Sequence, residues 1–204
     1  MARPKIRELV EAIKNLFIRG PFTLKFPKAP SPPAPTFRGM AKYYEENCIG
    51  CGACAKVCPS KTIEIIDDVQ ARKRKLVLHY DCCNFCGQCQ AACPTTKGIM
   101  LSTEYDTANF DRMTHVVSVE KELAMCEMCG EIVAPYDQLA WIAAKIGPIA
   151  YSNPTLILAE HKKLGLVGET AQRMSQAVEG RADLMRILCP VCRRKVYIKE
   201  EWSN

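Results

Sequence analysis

One cysteine pattern occurs twice in this chain and limits what it can fold around. Cys48, Cys51, Cys54 and Cys58, the last followed by Pro59, recur 35 residues later as Cys83, Cys86, Cys89 and Cys93, the last followed by Pro94. Three cysteines at two-residue intervals wrap a loop around three corners of a 4Fe-4S cube, and the fourth thiolate has to come from elsewhere. Where two copies occur together, the cysteine before the proline reaches across to the other centre. The expected ligand sets are therefore Cys48, Cys51, Cys54 and Cys93 for one cluster, and Cys83, Cys86, Cys89 and Cys58 for the other. Gly50, Gly52, Ala53 and Gly87 are small, which lets backbone N–H groups approach the sulfides. A lone Cys-x2-Cys pair also fits zinc; two complete copies, each with its proline, do not. Cys82 falls outside the repeat and is expected to be an ordinary buried thiol.

Thirteen cysteines in 204 residues suit either a secreted disulfide scaffold or an intracellular metal protein. Met1 to Phe17 is interrupted by Glu8, Glu11 and Lys14 and does not read as a secretory leader, so reduced, metal-ligating thiols are expected. The most apolar stretch, Leu139 to Ala150, contains Lys145 and Pro148, and no membrane span is expected. The net charge of +6 belongs to the N-terminus: the first 44 residues hold nine Lys or Arg against Glu8 and Glu11. With no interleaved basic and aromatic surface pattern, nucleic acid is not an expected partner.

Four segments follow. Residues 1–20 carry Ile6, Leu9, Val10, Ile13, Leu16 and Phe17 at helical spacing among basic residues, an amphipathic anchoring helix. Residues 21–44 hold Pro21, Pro27, Pro30, Pro32, Pro33 and Pro35, which fix an extended strap. Residues 45–105 form the two-cluster domain, with strands expected over Thr62–Ile66, Leu76–Tyr80 and Gly98–Ser102 and a hairpin loop over Asp67–Lys75. Residues 106–204 form an extension with helices expected over Tyr136–Ile146 and Glu169–Leu188. The fold class is α+β: a bacterial two-cluster ferredoxin-like core with an N-terminal amphipathic helix, a Pro-rich strap and a C-terminal helical extension.

That extension carries Cys126 and Cys129, then Cys189 and Cys192. Each pair reads as a knuckle presenting two sulfurs from a tight turn, and four together make a closed tetrahedral site. Zinc suits it; a single iron fits the same cage, and a third iron-sulfur cluster is the remaining metal alternative. Such a site staples a domain and catalyses nothing. His79, His115 and His161 are isolated, and no phosphate-binding glycine loop, Ser-His-Asp set or catalytic carboxylate pair occurs. No catalytic residue is expected.

The order of basic amphipathic helix, proline strap ending in Phe37-Arg38-Gly39, Cys48-Ile49-Gly50-Cys51, and Phe85-Cys86-Gly87 resembles the two-cluster subunit of complex I and of related membrane-bound hydrogenases, over residues 1 to about 110. Cys126, Cys129, Ala134-Pro135, Cys189-Pro190 and Cys192 are more similar to the subunit of formate hydrogenlyase and energy-converting hydrogenases. The resemblance implies an electron relay on the cytoplasmic side of the membrane, peripheral, between an input module or soluble ferredoxin and a neighbouring iron-sulfur small subunit with a hydrogenase-like large subunit. Protons, polysulfide or quinone would be the terminal acceptor. It also implies that residues 1–38 clamp the chain to its neighbours. A diffusible two-cluster ferredoxin with a zinc-binding extension is the alternative, disfavoured by the apolar stripe and strap.

Overall fold

The computed structural model describes residues 6–19, 26, 28–29, 31–108, 110–166 and 185–202, with only the backbone described at 18–19 and 198–202. The chain divides into two compact units, Met1–Phe37 and Arg38–Asn204. In the first, α1 (Ile6–Lys14) runs on into a wider π turn over Asn15–Arg19. Glu8 in its first turn and Lys14 in its last complement the helix dipole. None of α1 is buried, and Ile6, Leu16 and Phe17 are 80%, 73% and 77% exposed. Of the strap prolines, Pro21, Pro27 and Pro30 lie outside the described residues, while Pro32, Pro33 and Pro35 lie in irregular chain.

The second unit is built on two sheets. In the smaller, β1 (Ala41–Tyr43) pairs antiparallel with β4 (Ile99–Leu101), Tyr43 opposite Ile99. The strap segment expected to run to residue 44 therefore ends earlier, because its last residues form a strand. The larger sheet holds β2 (Ile63–Asp68), β3 (Lys73–His79), β5 (Val116–Met125) and β6 (Ile132–Pro135), all antiparallel in the order β2-β3-β5-β6. The β2–β3 turn is tighter than expected. Asp68 Oδ1 accepts from Gln70 N and Ala71 N at 2.9 and 2.8 Å, and Arg72 closes the turn at φ 53°. Lys73 and Lys75 are thus strand residues, not loop.

Alternation along these strands sorts the faces. Ile63, Leu76, Leu78 and Val119 are buried on one side together with Cys48, Cys54 and Ile99. On the other, Lys73 and Lys75 meet Glu120 at 3.4 and 3.6 Å. Short helices α2 (Ala53–Val57) and α3 (Gln88–Ala91) follow the two cysteine loops.

The region after residue 105 is not helical throughout: a short 3-10 turn over Arg112–Thr114 leads into β5, hydrogen-bonded to β3 from Lys73↔Glu122 to His79↔Val116. Beyond β6, α4 (Tyr136–Ile146) and α5 (Pro154–Lys163) bury Leu139, Ala143, Leu156 and Ala159 with Ala124 and Ile187. Asn153 caps α5, its Oδ1 accepting from Thr155 N at 3.0 Å, with Pro154 at the first helical position. The helix expected over Glu169–Leu188 falls largely on residues 167–184, outside those described; Met185 to Leu188 are bends and irregular chain, and the last described helix, α6 (Pro190–Trp202), begins after them. No described helix is long and apolar enough to cross a membrane.

Candidate metal centres

The two cysteine loops are held in matching backbone shapes. Gly52 and Gly87 precede α2 and α3 at φ 74° and 79°, the left-handed region that glycine enters without penalty. A Cβ on Gly52 would lie 2.7 Å from Ile65 Cδ1, and one on Gly87 3.2 Å from Leu101 Cδ1, so each loop presses directly on a strand. The same match extends to Gly50 and Phe85, at φ 68° and 49°.

The thiols converge on two cavities. Cys48, Cys51, Cys54 and Cys93 line one, together with Tyr43, Leu76 and Ile99 among others. Cys58, Cys83, Cys86 and Cys89 line the other, together with Leu78 and Leu101 among others. Each cavity thus takes three thiols from one repeat and the cysteine before proline from the other. All eight are free thiols. Cys82 lies on the 3-10 turn Tyr80–Cys82 and lines neither cavity. Contrary to expectation it is exposed, because the turn directs Tyr80 inward, where its hydroxyl donates to the Ala41 carbonyl at 2.5 Å.

The electrostatics separate the crossing cysteines from the rest. Burial opposes ionisation of Cys58 and Cys93, yet hydrogen bonds outweigh it and lower both thiols: Thr62 Oγ1 lies 3.3 Å from Cys58 Sγ, Thr95 Oγ1 lies 3.3 Å from Cys93 Sγ, and backbone N–H groups add to each. Burial raises Cys48, Cys83 and Cys89, and pushes Cys54 up to about 11. Tyr43, buried beside Cys54 with its hydroxyl 3.9 Å from that sulfur, is raised as well. Dry walls, convergent thiols and ready donors fit a bound polynuclear anion better than a lone cation. Thr62, Thr95 and Tyr43 escape attention in the sequence; a hydroxyl residue within four positions of each Cys-Pro is the signal that was there.

The third set is tighter. Cys126, Cys129, Cys189 and Cys192 bring their sulfurs within 4.8 Å of one another, and among the described residues no other set of three or more metal-ligating side chains does so. Cys129 and Cys189 sulfurs are 3.7 Å apart. A tetrahedral ion with bonds of about 2.3 Å places its sulfurs about 3.8 Å apart, so the set fits a single zinc or iron ion. The first knuckle closes through Gly130 N to the Cys126 carbonyl at 2.9 Å, with Gly130 at φ 74°. The second opens α6, where Cys192 N donates to Cys189 Sγ at 3.4 Å. Glu127 ties the two together, its N donating to the Ile187 carbonyl at 2.9 Å and its Oε1 accepting from Ile187 N at 3.0 Å. Burial raises the Cys126 thiol, but backbone N–H groups of Cys189, Cys129 and Met128 dominate and bring it to about 7. Burial and the neighbouring thiols push Cys192 up to about 12. The histidines stand apart: His79 is 3.7 Å from Glu64, His115 stacks edge-on against Tyr80, and His161 is in the last turn of α5.

Residues 47–97 match the family model of the 4Fe-4S dicluster domain. The chain is 30% identical over 131 residues to NADH-quinone oxidoreductase subunit I 2 of Geobacter metallireducens, covering 60% of this chain and 98% of that one. It is 30% identical over 100 residues to NAD(P)H-quinone oxidoreductase subunit I of Gloeobacter violaceus, covering 46% of this chain and 47% of the relative. Among solved structures, a chain of the membrane-bound sulfane sulfur reductase, an archaeal respiratory membrane complex, aligns with a TM-score of 0.40 and 27% identity, covering 56% of this chain and 61% of that one.

Proposed function

The chain belongs to the family of NADH-quinone oxidoreductase subunit I, whose members are iron-sulfur electron-transfer subunits, and on that premise we propose that it is the two-cluster relay of a membrane-bound redox complex, with no catalytic site of its own. Cys48, Cys51, Cys54 and Cys93 hold one 4Fe-4S cluster and Cys58, Cys83, Cys86 and Cys89 the other. A bound 4Fe-4S cluster takes up one electron and gives it back without making or breaking a bond. The chain's part is to fix the eight sulfurs, keep water from the cavities with Leu76, Leu78, Ile99 and Leu101, and supply hydroxyl and backbone donors to the sulfurs. The observation that carries this reading is the crossing itself: each cavity is completed by the Cys-Pro cysteine of the opposite repeat.

The Cys126, Cys129, Cys189 and Cys192 site holds one zinc or one iron and staples the extension; the 3.7 Å sulfur separation supports a single ion over a third cluster. The exposed apolar stripe of α1 and its basic surroundings support docking to partner subunits at the membrane surface, on the cytoplasmic side. Those partners are the next iron-sulfur subunit and a hydrogenase-like or sulfur- or quinone-reducing module, with a soluble ferredoxin or an input module as donor. Anaerobic reconstitution tests the core of the proposal: about eight irons in cubane clusters, with two interacting reduced centres in electron paramagnetic resonance. Iron near four with a single centre refutes it.

A further inference from the structure

The two cysteine loops match in sequence, in backbone and in one hydrogen bond each, since Thr95 and Thr62 place a hydroxyl 3.3 Å from the crossing sulfur of their respective cavities. Charge brought in from outside the repeat is not matched. Arg74 and Lys121 face each other across β3 and β5, and both reach the first loop. Arg74 donates Nη1 to the Gly50 carbonyl at 3.2 Å, but Asp67 holds its guanidinium through two bonds of 2.7 and 2.8 Å. With side chains 16% and 25% exposed, that pair is buried alike and largely cancels. Lys121 donates to the Glu45 carbonyl at 2.7 Å and pairs with Asp137 at 2.9 Å, its side chain 10% exposed against 41% for Asp137. Water screens the carboxylate more than the ammonium, so a net positive field remains inside. At the second loop, Arg38 donates to the Cys86 carbonyl at 3.4 Å from an exposed position, where solvent screens it.

The first loop is also shaped to admit the Lys121 stem. A Cβ on Gly50 would sit 3.1 Å from Lys121 Cβ and Cγ. At the matching position of the second loop, Phe85 packs against the core. Burial raises the Cys48 thiol, and the Lys121 charge counters it.

We propose that Lys121 is a potential-setting residue: its ammonium raises the reduction potential of the centre held by Cys48, Cys51, Cys54 and Cys93 above that of the centre held by Cys58, Cys83, Cys86 and Cys89. The inference rests on the two-cluster reading. A fixed cation stabilises the reduced, more negative state of the nearer centre, so an electron from a low-potential one-electron donor passes downhill from the Cys83 side to the Cys48 side. One centre is oxidised, the other reduced, and no proton or bond is exchanged.

The test is a potentiometric titration, followed by electron paramagnetic resonance, of the full chain after anaerobic reconstitution and iron counting. Lys121→Gln keeps a donor for the Glu45 carbonyl but removes the charge. It shifts the higher couple downward by about tenfold in the oxidised-to-reduced ratio at fixed potential, or about 59 mV for one electron. Asp137→Asn breaks the same ion pair yet shifts that couple upward. Thr95→Val and Thr62→Val assign the couples, because each removes one hydroxyl from one crossing sulfur, and Thr95→Val must move the couple that Lys121→Gln moves. Eight irons with couples that ignore Lys121→Gln overturn this inference alone, as does movement in the same direction by both ion-pair variants, which marks a structural disturbance. Four irons and one couple overturn the two-cluster reading and the inference with it.

Discussion

Replacing Cys189 with serine removes one corner of the C-terminal thiol set and tests whether the metal or the apolar packing holds α6 in place. Cys189 is 4% exposed, and the apolar side chains that clamp α6 and its entry are Leu188 and Val196, 3% and 8% exposed. Each such side chain contributes about 1.5–3 kcal/mol when fully withdrawn from water. A structural zinc site contributes about 10 kcal/mol or more in small metal-dependent folds. The ion therefore outweighs the clamp, and losing even about 3 kcal/mol of its contribution multiplies local opening about a hundredfold. Amide hydrogen exchange reads this directly. In Cys189→Ser, amides of Cys192 to Tyr197 exchange at least about a hundredfold faster, those of β3 and β5 keep their protection, metal content falls by one ion per chain, and the cluster spectra stay as they were. Unchanged exchange in α6 despite loss of the ion shows that packing alone suffices and refutes the staple. Loss of the cluster signals refutes the separation of the two kinds of site.

Gly52→Ala puts a Cβ at φ 74° and 2.7 Å from Ile65 Cδ1, a terminal methyl that must turn aside, so iron content in the Cys48 cavity and thermal stability both fall, by about 1–2 kcal/mol of left-handed backbone strain and the added cost of moving that methyl. Gly130→Ala, with nothing within 4 Å of the added carbon, carries the backbone strain alone and serves as its milder control in the same thermal melts. The Arg112 hydrogen bond holds the Asp81 carboxyl below its ordinary 3.8, so the pair's contribution is present at neutral pH and is lost as pH falls through that lowered value. An acid titration of stability should find native protein and Arg112→Gln converging at low pH; a gap that persists there contradicts the assignment. Deleting residues 1–37 leaves both clusters and their spectra intact but abolishes co-purification with the membrane complex, and a truncated chain that still assembles and supports full turnover removes α1 and the strap from docking.

The parts legible in the sequence are those where one residue type dictates geometry. The Cys-Pro repeat marks the eight thiols that line the cavities, and the apolar spacing and flanking Pro135 and Gly147 mark α4 at the ends the structure gives it, Tyr136 and Ile146. The β2–β3 hairpin is recognisable but its loop reads longer in the sequence than it is, because Lys73 and Lys75 are polar for facing solvent, not for lying in a turn. β5 escapes the sequence pattern for a related reason. Its alternation is real, with Val119 and Leu123 inward and Glu120 and Glu122 outward, but Lys121 occupies an inward register position where an apolar residue would have completed the pattern. β4 lies within the strand expected over Gly98–Ser102, whereas β1, three residues long, is too short to carry a periodic signal. The contacts of Lys121, Thr62 and Thr95 with the loops depend on strand register and turn geometry, which no local pattern states.

Because each cavity borrows its fourth sulfur from the other repeat, neither half of the cysteine domain is a self-sufficient holder. Oxidation of Cys93 strips a corner from the site that Cys48 begins, although Cys93 belongs to the repeat whose other three thiols serve the neighbouring cavity. A single lost thiol before a proline therefore opens the cavity built mainly by the opposite repeat, while the cavity of its own repeat keeps its four sulfurs.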